Sequence, residues 1–200
     1  GVTLHGICAP QPLYTNGRRS IREALYFSTL LVPFLLREEF DIIDCQQFPF
    51  FPCFPVKLAS LMKKKPLVIT WHEVWGDYWY DYLGWKGAFG KTTERLVTGL
   101  TSNRIAVSKT TVKKLGALGI REEICLIPNG IDASHIRSLA PATESSDIIF
   151  AGRLILDKHV DILVRAFGKL LSGNPDLMLL ILGDGPELGA IRSLIRDLGI

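Results

Sequence analysis

The sequence predicts an α/β fold with parallel sheets, and three observations carry that expectation. Short β-branched or apolar runs alternate with helix-length segments along the whole chain, the pattern of strands joined by crossover helices. Leu67–Trp71, apolar but for Thr70, is short enough for a buried strand. Ile148–His159, reading IIFAGRLILDKH, runs from an apolar strand through Gly152 to an arginine and a lysine at the start of a helix. That last layout brings cations to the carboxyl edge of a parallel sheet.

The elements follow in order. Gly1–Ile7 reads as a strand, and Ser20 to Glu23 has capping-box spacing before a helix that runs toward Glu39, with a kink expected at Pro33. Asp41–Cys45 is the second strand. A helix over Val56–Lys64 ends in lysines that suit its negative pole, and Leu67–Trp71 is the next strand. Thr92–Leu100 is helical, Arg104–Val107 a strand, and Ser108 caps a helix that stops between Gly116 and Gly119. Ile124–Ile127 closes this half. Pro141–Ser146 is polar and poor in large apolar groups, which places a domain boundary near residue 141. Beyond it come strand Ile148–Ala151, helix Val160–Leu171, strand Leu177–Leu182 and a helix from Pro186 with proline at its first position. The chain has no internal repeat.

At 200 residues and 48% apolar content the chain can bury a real core. Cysteines 8, 45, 53 and 125 lack metal-ligand spacing and read as free thiols of a reducing, cytoplasmic compartment. The longest apolar run, Ala24–Leu36, is too short to span a membrane. Charge is uneven: residues 1–127 hold 16 Lys or Arg against 11 Asp or Glu, whereas residues 128–200 hold 7 against 9. The clusters Arg18, Arg19, Arg22 and Lys63–Lys65 suit either an anionic membrane surface or a solvated face.

Three motifs then stand together: Asn129-Gly130-Ile131-Asp132 in a turn, Gly152-Arg153 with Lys158, and Gly183-Asp184-Gly185-Pro186. Together they resemble the retaining glycosyltransferases of family 4. The resemblance implies a GT-B type fold of two Rossmann-like domains. Residues 1–141 would be the acceptor-side domain and 142–200 the first part of the nucleotide-sugar-binding domain. It also implies that both are incomplete, since the family's opening strand with its glycine-rich loop and its later Glu-x7-Glu motif have no counterpart in these 200 residues. Arg153 and Lys158 would hold the donor diphosphate, Gly152 and Gly183–Pro186 would border the nucleotide, and Asn129 and Gly130 would form the hinge. The family usually has glycine where this chain has His159, a departure that a helix N-terminus tolerates.

His72 ends the strand Leu67–Trp71. By the resemblance it lines the cleft and orients donor hydroxyls or the leaving group; a structural histidine is the plainer alternative. Trp71, Trp75, Tyr78, Trp79, Tyr80, Tyr82 and Trp85 crowd fifteen positions. Trp75, Tyr78 and Trp79 are candidates for an acceptor-side wall that stacks on sugar rings, with a local core under a long loop as the other reading. A zinc-protease helix is excluded because position 76 is Gly76, and a dinucleotide fingerprint, the mark of a rival dehydrogenase, is matched only weakly because Leu188 stands where its last glycine belongs. No Asp-x-Asp pair or metal-ligand cluster is present, so no metal or cofactor is expected.

The expected function is retaining transfer of a sugar from a nucleoside diphosphate sugar to a hydroxyl of a sugar or lipid-linked acceptor. A peripheral place at the cytoplasmic membrane face goes with it, and nucleic acid is not an expected partner. Two readings from other classes stand beside it: a nucleotide-binding fragment without transferase activity, and a membrane-surface assembly subunit.

Overall fold

The computed structural model describes residues 1–15, 18–142 and 145–200. In chain order the elements are β1 (Tyr14–Thr15), β2 (Arg18–Arg19), α1 (Ile21–Arg37), β3 (Ile43–Gln46), α2 (Cys53–Lys63), β4 (Leu67–Trp71), α3 (Tyr78–Leu83), α4 (Gly87–Thr98), β5 (Arg104–Ala106), α5 (Lys109–Ala117) and β6 (Cys125–Leu126). They continue with α6 (Ala133–Ser138), β7 (Ile148–Ala151), α7 (Val160–Leu171), β8 (Leu179–Leu182) and α8 (Leu188–Asp197). Two compact units result. The first comprises Gly1–Pro12 and Ser20–Ile131, the second Leu13–Arg19 and Asp132–Ile200. The division falls at Ile131–Asp132, and Asp132 already belongs to the next element: its side chain accepts from the His135 backbone N–H at 2.8 Å and caps α6.

The first unit is built on a four-stranded sheet in the order β3-β4-β5-β6, every pairing parallel. β4 lies inside it, and Leu67, Ile69 and Trp71 are each no more than 2% exposed, which is why this strand is apolar but for Thr70. Val97 of α4, Leu115 of α5 and Cys53 of α2 join the same core. Helix starts follow the capping chemistry of the sequence. Ser20 accepts from the Glu23 N–H at 3.2 Å, and Ser108 from the Thr111 N–H at 3.1 Å. Pro33 lies within α1 on its exposed side, where the carbonyl it leaves unbonded can take water. The sulfurs of Cys45 and Cys53 lie 3.7 Å apart as free thiols. Hydrogen bonding from Cys53 holds the Cys45 thiol below its ordinary range, while the same contact and burial push Cys53 up.

The aromatic segment folds as α3, a 3-10 turn at Gly84–Lys86, and α4. Its helices meet closely because glycines face Trp79: a Cβ on Gly90 would lie 2.3 Å from the Trp79 ring, and one on Gly87 2.5 Å from the Trp79 carbonyl. Trp79 is 8% exposed and is packed by Trp75 at 4.5 Å and Phe50 at 5.7 Å between ring centroids.

The second unit pairs β7 with β8 in parallel, from Ile148 opposite Leu179 to Ala151 opposite Leu182. Leu154, Val160, Val164 and Ile191 form its buried centre. The antiparallel ladder β1-β2 belongs to this unit by its contacts.

Two expectations fail. Gly1–Ile7 is not a strand: it has no ladder partner among the described residues, Val2 and Leu4 are 99% and 96% exposed, and Ile7 packs against the core instead. The last helix begins at Leu188, not Pro186, because Pro186 lies in a turn closed by the Leu188 N–H on the Gly185 carbonyl at 3.1 Å.

Gly90→Ala should lower unfolding stability by about 2 kcal/mol through overpacking against Trp79. Urea unfolding followed by tryptophan fluorescence checks this, and an unchanged midpoint would mean the α3–α4 contact is looser than described.

Candidate functional site

In the second unit the carboxyl ends of β7 and β8 are laced together by backbone alone. Gly152 N–H donates to the Leu182 carbonyl at 2.9 Å, Leu154 N–H to Asp184 at 2.9 Å, and Glu187 N–H to Leu154 at 3.0 Å. The approach is so close that a Cβ on Gly183 would sit 1.9 Å from the Gly152 oxygen, and one on Gly185 2.3 Å from the Leu154 oxygen. Gly185 also has φ +157. Gly183 and Gly185 thus hold two turns in contact, with Arg153 carried outward between them. The Asp184 carboxylate is occupied locally, accepting from the Gly185 N–H at 2.7 Å.

Arg153 is exposed, and its Nη1 donates to the Tyr14 hydroxyl at 2.5 Å. Lys158 is exposed and has no ion-pair partner among the described residues. It lies in the 3-10 turn Leu156–Lys158, just before α7. The residue between that turn and the helix is His159, at φ 49 and ψ 40. This is the left-handed region, where a side chain costs free energy and glycine does not. The reason for a glycine at this point is therefore backbone hand, not the tolerance of a helix N-terminus.

In the first unit His72 stands at the end of β4, exposed, with its Nε2 donating to Gln46 Oε1 at 2.5 Å. A carbonyl oxygen can only accept, so Nε2 is the donor of this pair, and in the neutral ring Nδ1 is the acceptor. The backbone beyond it is fixed by three side chains that sequence reasoning missed. Gln47, fully buried, accepts from the His72 N–H at 2.9 Å and donates to the Glu73 carbonyl at 3.4 Å. Glu94, also fully buried, accepts from the Trp75 and Gly76 N–H groups, both at 2.8 Å. Lys114 donates to the Val74 carbonyl at 3.0 Å. A carboxylate on the buried face of α4 was the available signal for Glu94.

The aromatic candidates separate. Trp79 is core, with both its neighbours and Gly90 against its ring, so it is withdrawn as a sugar-stacking surface. Trp75 is half-buried among Phe48, Tyr78, Trp79 and Tyr82, whereas Tyr78 is 40% exposed. Of the lysine cluster, Lys63 pairs with Glu39 at 3.3 Å and Lys65 with Asp41 at 3.1 Å, which weakens it as a patch for anionic lipid. Lys91 pairs with Asp77, whose hydrogen bond and charge hold the ammonium above its ordinary range. Asn129 and Gly130 lie exposed beside the division between units, and a Cβ on Gly130 would meet open space. Among the described residues no cluster of His, Cys, Asp or Glu could hold a metal, and no helix is long and apolar enough to cross a membrane.

Comparison with known proteins covers the whole of this arrangement. The family model described as Glycosyltransferase Family 4 matches residues 4–135, and that described as Glycosyl transferases group 1 matches residues 132–200. A 77-residue stretch is 38% identical to "Exopolysaccharide phosphotransferase SCO2592" of Streptomyces coelicolor, covering 38% of this chain but only 8% of that protein. Among solved structures, a mutant of TarM from S. aureus in complex with Fondaparinux, alpha-GlcNAc-glycerol and UDP superposes with a TM-score of 0.61 at 17% identity. It covers 86% of this chain, which spans 34% of that one. The fold is α/β of the GT-B type.

Removing Glu94 leaves two buried N–H groups without an acceptor, so Glu94→Ala should cost about 3 kcal/mol of stability by chemical denaturation. An unchanged value would show that this carboxylate does not organise the turn. Relief of the left-handed conformation makes His159→Gly stabilising by about 0.5–1 kcal/mol and His159→Val destabilising. Thermal unfolding of the two variants in parallel gives the sign of each.

Proposed function

This chain belongs to Glycosyltransferase Family 4, and from that premise we propose that it supplies the donor diphosphate site and acceptor-side histidine for retaining transfer of a sugar from a nucleoside diphosphate sugar to a hydroxyl. The single observation behind the reading is the exposed Arg153 at the glycine-laced carboxyl ends of β7 and β8, followed by exposed Lys158 in the turn before α7, neither with a carboxylate partner among the described residues. As the bond from the anomeric carbon to the phosphate oxygen breaks, its electron pair passes to the β-phosphate. The acceptor hydroxyl oxygen bonds to the anomeric carbon on the same face, and its proton passes to the departing β-phosphate oxygen. Catalysis then depends on positive groups already in place where that charge grows. Arg153 offers its Nε–Nη2 edge to two oxygens, Lys158 a mobile point charge, and the 12-residue helix α7 its N-terminus. In this reading protein cations carry the neutralisation, without a metal ion or cofactor.

His72 has the role that the resemblance gives it, a partner for hydroxyls of the donor sugar. With Nε2 committed to Gln46, Nδ1 accepts from a sugar hydroxyl, which orients the donor and asks no proton transfer of the imidazole. The acceptor class proposed is a sugar or lipid-linked hydroxyl, taken at the exposed end of the aromatic segment near Tyr78.

Calorimetric titration with UDP, GDP, UDP-glucose and GDP-mannose tests the site. Loss of one charge-assisted contact should weaken binding about tenfold or more, so Arg153→Ala with Lys158→Ala should abolish measurable binding while thermal stability stays near wild type. Equal affinity in the double variant would remove the diphosphate assignment.

A further inference from the structure

Arg153 stands on an exposed turn, and a long side chain there samples many rotamers before a ligand arrives. In this structure it does not stand free. The hydroxyl of Tyr14, 139 positions earlier in the chain and within the same compact unit, accepts from its Nη1. Tyr14 is half-buried, and its backbone is held in the antiparallel ladder opposite Arg19. Resting on the diphosphate reading above, we propose that Tyr14 is a positioning residue that presents Arg153 to the diphosphate and sets preference for two linked phosphates over one.

The chemistry of the partner is what carries this. An arginine is usually steadied by a carboxylate, but a carboxylate would neutralise the guanidinium and compete with phosphate for its fork. A hydroxyl oxygen steadies it and leaves the full positive charge in place. The geometry also divides the guanidinium usefully. Tyr14 takes Nη1, and the Nε–Nη2 edge keeps two parallel N–H groups without a partner among the described residues. That edge matches two oxygens of a phosphate group. A pre-oriented fork lowers the entropy lost on binding, and the gain appears only for ligands that reach Arg153. Nucleoside monophosphates, lacking the second phosphate, are expected to be indifferent to Tyr14.

UDP and GDP, with UMP and GMP as controls, are titrated calorimetrically into the wild-type chain, Tyr14→Phe, Arg153→Ala, Arg153→Lys, and Tyr14→Phe combined with Arg153→Lys. The expected result is a loss of about fivefold in diphosphate affinity for Tyr14→Phe, with monophosphate affinity unchanged. In the Arg153→Lys background, which keeps a charge but no fork, Tyr14→Phe should have no further effect. The role of Tyr14 is overturned if Tyr14→Phe binds UDP and GDP like wild type, if it weakens monophosphates equally, or if its loss persists in the Arg153→Lys background. In each of those cases a loss of binding in Arg153→Ala keeps the diphosphate site itself standing. If Arg153→Ala binds like wild type, or wild type binds neither diphosphate, the diphosphate reading falls and the role of Tyr14 with it.

Discussion

Close backbone approach without room for a side chain is the constraint on which the second unit depends. The Gly152–Leu154 and Leu182–Glu187 segments share three backbone hydrogen bonds, and the close approach that allows them needs positions 183 and 185 to lack a Cβ. An alanine at 183 would place a carbon 1.9 Å from a carbonyl oxygen that cannot move without breaking the β7–β8 ladder beneath it. The turn that carries Arg153 is thereby locked to the one after β8, and Leu154, drawn inward by both, is 1% exposed at the centre of the core. One pair of glycines links sheet, core and exposed arginine. Glycines that border a nucleotide by resemblance thus act here first on the protein's own backbone.

The first unit solves the same problem by another route. The segment after β4 has glycine only at Gly76, whose φ of 57 needs it, and the chain from His72 to Gly76 is held from outside by Gln47, Glu94 and Lys114. These come from the end of β3, from α4 and from α5, so the elements around the sheet converge on one turn. A fully buried carboxylate is costly unless its lone pairs are used, and Glu94 spends them on two N–H groups that would otherwise be orphaned. The orientation of His72 is a consequence, since both its backbone N–H and its ring are bonded to adjacent glutamines, Gln47 and Gln46.

How much of this could be read from sequence depended on whether the signal was local. β4, β7 and α7 appear at their expected limits, because continuous apolar runs and a strong 3.6-residue period report burial directly. Ser20 and Ser108 were legible as caps for the same reason: side chain and backbone donor lie three residues apart. The aromatic segment was ambiguous because its helices are short, and only the glycines at 87 and 90, facing Trp79, decide for a core. His159 misled because its left-handed conformation is imposed by the turn before it and leaves no mark on composition. Tyr14 was out of reach, since nothing in the sequence connects it to a residue 139 positions away.

Net charge misplaces the site, and pairing explains why. Residues 1–127 carry the excess of cations, yet Lys63, Lys65 and Lys91 are paired with carboxylates, Lys114 bonds a backbone carbonyl, and the guanidinium of Arg104 is spent on Thr98 and Ser102 carbonyls and Glu122. Leu13–Arg19 joins the second unit and brings Arg18 and Arg19, which offsets the acidic excess of residues 128–200. Attraction for an anion depends on cations whose field is not already answered nearby, because a neighbouring carboxylate cancels most of it within a Debye length. By that measure the usable positive charge of the diphosphate site is Arg153 and Lys158, in the stretch of chain where acidic residues outnumber basic ones. A neutral hydroxyl beside Arg153, in place of a carboxylate, is what keeps that charge available.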